Sequence, residues 1–230
     1  MKILAIETSG AACSAALMSG RGMHERSLPM TRGHAERLVP LIGEVLAVAG
    51  VAYADLDLVA VTVGPGTFTG MRVGLATARG IALATGRPCL GVSSFECVLE
   101  AALSEAEAAW TSGRGVLVVL DSRRSEAFAQ RFAGPGGEPA KPVVATPEEL
   151  AGACDGVGLI IGTAAAAVGG ALSRGDVAVR DLAPSAAAVA HLAARQWAAG
   201  VRPIGFPDPL YLRAPATGPA PGVAKGPATA

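Results

Sequence analysis

The apolar positions of the first thirty residues fall in short runs separated by polar or glycine breaks. "KILAIET" ends on a polar pair, "SAALMSG" follows after "SGAAC", and "MHERSL" follows "RG". Runs of this length predict three consecutive strands, with Gly20-Arg21-Gly22 supplying the tight turn of an antiparallel meander. The period then changes. In "HAERLVPLIGEVLAVAG" the apolar residues Leu38, Leu41, Ile42, Val45, Leu46 and Ala49 recur at helical spacing, Gly50 marks the C-terminal stop, and Pro40 is placed to kink the helix. "DLVAVTVG" is apolar without alternation, as in a strand covered on both faces. The loop "GPGTFTG" leads from it into another helix, where Thr69 is the predicted N-cap and Phe68 and Val73 are spaced as a hydrophobic staple. A strand at "RPCLGVSS" and a helix at "FECVLEAALSEAEAAW" complete the order βββαβαβα.

From Gly115 the pattern restarts and is shorter. "VLVVLDSR" and "SEAFAQRF" read as paired strands, and Thr146-Pro147 with Glu149 reads as a helix start after "PVVA". "VGLIIGTAAAAVGGAL" reads as a strand feeding a small helix, and "APSAAAVAHLAARQWAAG" as a last helix capped by Ser185 and stopped by Gly200. The simplest account is a degraded duplication. It predicts a first unit over 1–105, a reduced second unit over 106–183, and a 184–213 segment that partly packs back on the first. Residues 214–230 hold only Ala, Pro, Gly and Thr apart from Val223 and Lys225, a composition that predicts a disordered tail.

Composition narrows the functional classes. Hydrophobic residues make up 51% of the 230 and charged residues 17%, yet no apolar run is long enough to span a bilayer. The start carries no secretion-signal pattern, so a cytoplasmic location and no membrane partner are expected. With 19 basic and 19 acidic residues the footprint of an independent nucleic-acid binder is absent, and any RNA contact would be shared with a partner. Cys13, Cys89, Cys97 and Cys154 form no CxxC pair, and His24, His34 and His191 are too scattered for a helical zinc motif, so no metal site is expected. No serine sits in a GxSxG elbow, which counts against a peptidase.

Four motifs, "ILAIETS", "HAERLVPLI", "VGPGTFTGMRVG" and "LDSRRSEAF", resemble in order and spacing the TsaB (YeaZ-type) family. The resemblance covers about Met1 to Arg213 and is most specific at "GPGTFTGMRVG". It implies an α/β protein of the actin/Hsp70-like (ASKHA) superfamily, with two tandem ribonuclease-H-like βββαβα units, the second shortened. It also implies a non-catalytic subunit of the bacterial machinery that forms threonylcarbamoyladenosine next to the anticodon of tRNA. In that machinery the family supports the TsaD transferase, with the ATPase TsaE as third member. TsaD-type catalysis rests on a metal held by a helical histidine pair, whereas the first helix here offers only His34.

Two candidate sites follow. A vestigial nucleotide site would draw on Glu7, Thr8 and Ser9 of the first hairpin, Asp121 of the second and Gly162. It implies weak ATP or ADP binding at most, with no cofactor required; the alternatives are a self-sufficient ATP-dependent kinase-like enzyme or a peptidase-like paralogue. The sharper signal is helical. Leu38, Leu41, Ile42 and Val45 belong to a helix with more apolar surface than one sheet needs, and Gly70, Gly74 and Ala78 begin a four-residue ridge of small side chains that invites a second helix. With Arg72 and Arg79 these residues form the predicted partner interface, serving a homodimer when the chain is alone and TsaD when it is present.

Overall fold

The structure, a computed structural model, describes residues 1–173 and 175–213. The predicted tail, 214–230, lies outside the described residues. The chain builds two five-stranded sheets. The first contains β1 (Ile3–Glu7), β2 (Ala12–Ser19), β3 (Gly22–Pro29), β4 (Leu58–Gly64) and β5 (Cys89–Ser93), in the order β3-β2-β1-β4-β5. The meander pairs antiparallel, with Ala5 opposite Ala16 and Ala16 opposite Glu25, whereas β4 and β5 join parallel through helical crossovers. The second sheet contains β6 (Gly115–Asp121), β7 (Ala127–Phe132), β8 (Val143–Ala145), β9 (Val157–Ile161) and β10 (Ala178–Arg180), in the order β10-β9-β6-β7-β8. Its central strand again pairs antiparallel with the next strand in sequence and parallel with the fourth. The two units therefore share one topology, and the chain is an α/β protein of tandem actin-like units.

The helices are α1 (His34–Ala49), α2 (Phe68–Thr85), α3 (Ser94–Ala101), α4 (Leu103–Thr111), α5 (Pro147–Gly152), α6 (Ala165–Ala171) and α7 (Ala186–Ala198). Because side chains alternate along a strand, each sheet has two apolar faces to cover. Leu4, Ile6, Val59 and Val61 bury one face of the first sheet against α1 and α2. Ile3, Ala5, Leu58 and Ala60 bury the other against α7. On the second sheet Val116, Val118 and Leu120 meet α3 and α4, and Val119 and Ile160 meet the α5–α6 side. The units exchange cover: α3 and α4, which follow the first sheet in sequence, pack on the second, and α7 returns to the first.

Local capping explains most boundaries. Ser93 and Thr146 each accept a backbone N–H and sit in capping boxes with Glu96 and Glu149, Ser185 accepts from the Ala188 N–H, and Gly50 and Gly86 end α1 and α2 in the left-handed conformation. Several expectations need correction. The N-cap of α2 is Thr67 rather than Thr69, and Thr67 caps through its backbone alone. The single helix expected over Phe95–Trp110 is two helices meeting at Ala102. Strand β10 and the turn of 3-10 helix over Tyr53–Asp55 carried too little periodicity to be seen. Helix α1 runs unbroken through Pro40.

Candidate functional site

The first hairpin folds its polar residues inward. Glu7, Thr8 and Ser9 are all buried. Glu7 Oε1 accepts hydrogen bonds from the Ser9 N–H and Ser9 Oγ, both at 2.7 Å, and from the Gly10 N–H at 3.1 Å. Burial pushes the Glu7 carboxyl above the ordinary 4.5, with Thr62 and Ser9 pulling less strongly the other way. Glu7 Oε2 and Thr62 Oγ1 are buried and make no hydrogen bond of ordinary geometry, so Thr62 is a polar neighbour of the carboxyl rather than a fixed donor to it. Thr8 Oγ1 donates to the Gly70 carbonyl at 2.8 Å.

The second half of the expected nucleotide site is equally committed to the fold. Asp121 Oδ1 accepts from the Arg123 N–H at 2.7 Å, holding the β6–β7 turn in which Arg123 has φ 61°. Gly162 has φ 126°, and a Cβ there would overlap the Val119 carbonyl, so this glycine serves the close passage of the β9–α6 turn over β6. None of Glu7, Thr8, Ser9, Asp121 and Gly162 lines the cleft between the units. That cleft, of about 420 Å³, is instead lined by the Pro65–Phe68 loop, Met71, Ser122–Arg124, Phe128 and the Leu210–Arg213 strap. Among the described residues no group of three His, Cys, Asp or Glu side chains is placed to hold a metal.

The expected helical interface needs a correction too. Leu38, Leu41, Ile42 and Val45 are at most 1% exposed and belong to the chain's own core. The small-residue ridge faces inward as well. A Cβ on Gly70 would overlap the Thr8 carbonyl, one on Gly74 would overlap Thr8 Oγ1, and Ala78 is fully buried. The ridge therefore lets α2 close on the first hairpin rather than on another helix. Arg72 and Arg79 hold the chain's own C-terminal strap, which the sequence left featureless. Arg72 donates to the Tyr211 hydroxyl and stacks 3.7 Å over Phe68, and Arg79 donates to the Pro207 carbonyl and pairs with Asp208 at 3.1 Å.

What α1 and α2 leave outside is a different set. The two helices lie side by side on one face of the first sheet, and their outer sides expose Val39 at 53%, Val48 at 58% and Leu83 at 74%, with Ala47, Ala76 and Ala84 among them. Two glycines sit mid-helix on this surface. A Cβ on Gly43 or Gly80 would meet nothing within 4 Å, and neither residue has a positive φ. Each costs helix stability without any return inside the chain. The Arg37–Glu44 pair, 3.6 Å apart, is the ion pair on this side of α1.

A doubled five-stranded actin-like sheet with a bare two-helix face defines the class, and comparison with known proteins narrows it. A family model for TsaD, tRNA N6-adenosine threonylcarbamoyltransferase, matches residues 28–154. The tRNA threonylcarbamoyladenosine biosynthesis protein TsaB of Escherichia coli is 33% identical over 130 residues, 56% of this chain and 53% of that protein. The TsaB protein of Haemophilus influenzae is 34% identical over 129 residues, 56% of this chain and 52% of that one. The match thus spans about half the length of these curated relatives. A crystal structure from Pseudomonas aeruginosa, described as similar to peptidase YEAZ, superposes with a TM-score of 0.76 at 30% identity, covering 92% of this chain and 99% of that one. A second structure, YeaZ from the same organism, gives 0.74 at 28% identity. The chain belongs to the TsaB/YeaZ-type proteins of the TsaD family.

Proposed function

We propose that this chain is a non-catalytic subunit of the complex that forms threonylcarbamoyladenosine on tRNA in the cytoplasm. It holds a TsaD-type transferase in a competent state, together with a TsaE-type ATPase. One observation carries the reading: the outer face of α1 and α2 exposes Val39, Val48 and Leu83 beside the charged Arg37, Glu44 and Arg72, and carries two helix-interior glycines with open space above them. A partner helix pair laid on that face approaches more closely at Gly43 and Gly80 than any larger residue would allow, toward the lower end of the usual ~8–10 Å axis separation. A second copy laid on the same face would make an isologous contact about a twofold axis, and it is expected there when the transferase subunit is absent. ATP or ADP binds weakly and is not required by this chain, in keeping with hairpin side chains turned to structural hydrogen bonds.

The test is reconstitution of threonylcarbamoyladenosine formation from the TsaD-type and TsaE-type subunits and the adenylate synthase, with and without this chain. Product that depends on the chain, with no ATP turnover by the chain alone, is the expected result. Equal product without it, or robust turnover by the isolated chain, contradicts the proposal.

A further inference from the structure

The strap over 203–213 forms no helix or strand, and its Pro203, Pro207 and Pro209 have no N–H to give. Among the described residues it makes one backbone-to-backbone hydrogen bond, from the Leu210 N–H to the Val63 carbonyl at 2.7 Å. Side chains hold the rest, and they come from both units. On the first unit Arg79 of α2 donates to the Pro207 carbonyl and pairs with Asp208 at 3.1 Å, and Arg72, about two turns earlier, donates to the Tyr211 hydroxyl at 3.2 Å. The Tyr211 ring lies on Phe68, 5.2 Å between centroids, and Pro207 fills the space in which a Cβ on Gly91 of β5 would stand. On the second unit Leu212 packs on the core, and Arg213 pairs with Glu126, donates to Ser122 Oγ at 3.3 Å and lies over the Phe128 ring. The grip passes from one unit to the other between Tyr211 and Leu212.

Helix α3 is also shared by the two units, since Cys97 belongs to the first core and Phe95 and Val98 to the second. The strap differs from α3 in how it is held. An extended, proline-rich segment tied down by side chains can let go as one piece, because little backbone hydrogen bonding must break. Residues 210–213 form one wall of the cleft between the units. With the strap released, α3 remains as an axis about which the units turn, and the cleft opens. Its anchors are also placed to be met from outside: Arg72 is exposed on the outer face of α2, and Arg79 and Leu83 follow on the same side of the helix.

We infer that the strap is a releasable clamp across the cleft, gripped by α2 on one side and by the β6–β7 turn on the other, through which a protein docked on α2 sets how far the units open. The clamp itself needs only the contacts above; its control from α2 rests on the docking role proposed for the α1–α2 face. A docked chain buries Arg72 beside it, which strengthens the hold on Tyr211 by excluding water from that hydrogen bond.

The experiment is pulsed electron–electron double resonance on the full chain, with spin labels on Arg32→Cys in the first unit and Glu148→Cys in the second. Both positions are exposed and the four native cysteines are buried. Two unclamped forms are compared with the intact strap: Arg72→Gln with Arg79→Gln, and Arg213→Gln, each checked for folding by circular dichroism. Distance distributions that broaden and extend to longer distances in both are expected; folded variants that keep the parent distribution overturn the clamp. Hydrogen exchange of the unsubstituted chain gives a second reading, in which the Leu210 amide should exchange faster than the amides of β4, and equal protection contradicts a releasable strap. Adding the TsaD-type subunit should narrow the distribution of the intact chain, while Arg213→Gln, which lies away from the α1–α2 face, should bind that subunit without narrowing. Binding that leaves the intact chain's distribution unchanged overturns the control from α2 and leaves the docking role standing. Absence of binding refutes the docking role and the control with it, and the isolated-chain distances still decide the clamp.

Discussion

Glu7 shows how one residue changes meaning between sequence and structure. As a letter at the end of the first strand it is a candidate for a vestigial nucleotide site; in the fold it is a buried acceptor that ties down the hairpin through Ser9 and Gly10. Burial raises its pKa above 4.5, so the neutral form is favoured in the folded state. The sign follows from linkage. Stability contributed by neutral Glu7 is complete below 4.5 and is lost as pH rises through the raised folded value. Glu7→Gln keeps the Oε1 acceptor and stays neutral, and its amide can donate to Thr62 Oγ1. Urea midpoints of wild type and variant should therefore diverge in favour of Glu7→Gln as pH climbs from below 4.5 to neutral. A gap that does not change with pH would mean that charging Glu7 does not destabilise the fold.

At the scale of elements, what could be read from the sequence was what local chemistry fixes. The meander, the apolar strand β4, the Thr146–Glu149 and Ser185 caps and the Gly50 stop are all written in adjacent residues. The direction in which a helix faces is not. Gly70, Gly74 and Ala78 define a ridge in sequence, but only the position of Thr8, 62 residues before Gly70, decides that the ridge is internal. The arginines were legible as a pair on one side of α2, whereas their strap partners lie in a proline-rich stretch with no periodicity to register. The bare glycines Gly43 and Gly80 were visible only as letters until the space above them was known. The two classes of glycine should answer differently to a methyl group. Gly70→Ala overpacks the hairpin contact and should destabilise by about 1–3 kcal/mol, lowering the melting temperature by several degrees. Gly80→Ala should stabilise the isolated chain by about 0.5–1 kcal/mol. Calorimetric scans in which both substitutions shift stability in the same direction would contradict these placements.

For the whole molecule, the duplicated sheets were foreseeable as a repeated strand-rich opening, but the packing of α3 and α4 on the second sheet required tertiary structure. Helix α7 covers the first sheet and α3–α4 the second, which leaves α1 and α2 on the outside of the first sheet with one face free. That free face is the centre of the account. Its most direct test is sedimentation velocity of the chain mixed with the TsaD-type subunit of the same organism, comparing wild type with Gly80→Trp. Gly80 is exposed and has nothing within 4 Å of its added Cβ, so the variant should remain folded by circular dichroism. The account predicts a heterocomplex with the wild-type chain and loss of both that complex and self-association in Gly80→Trp. A folded Gly80→Trp chain that binds the transferase subunit as tightly as wild type would contradict it.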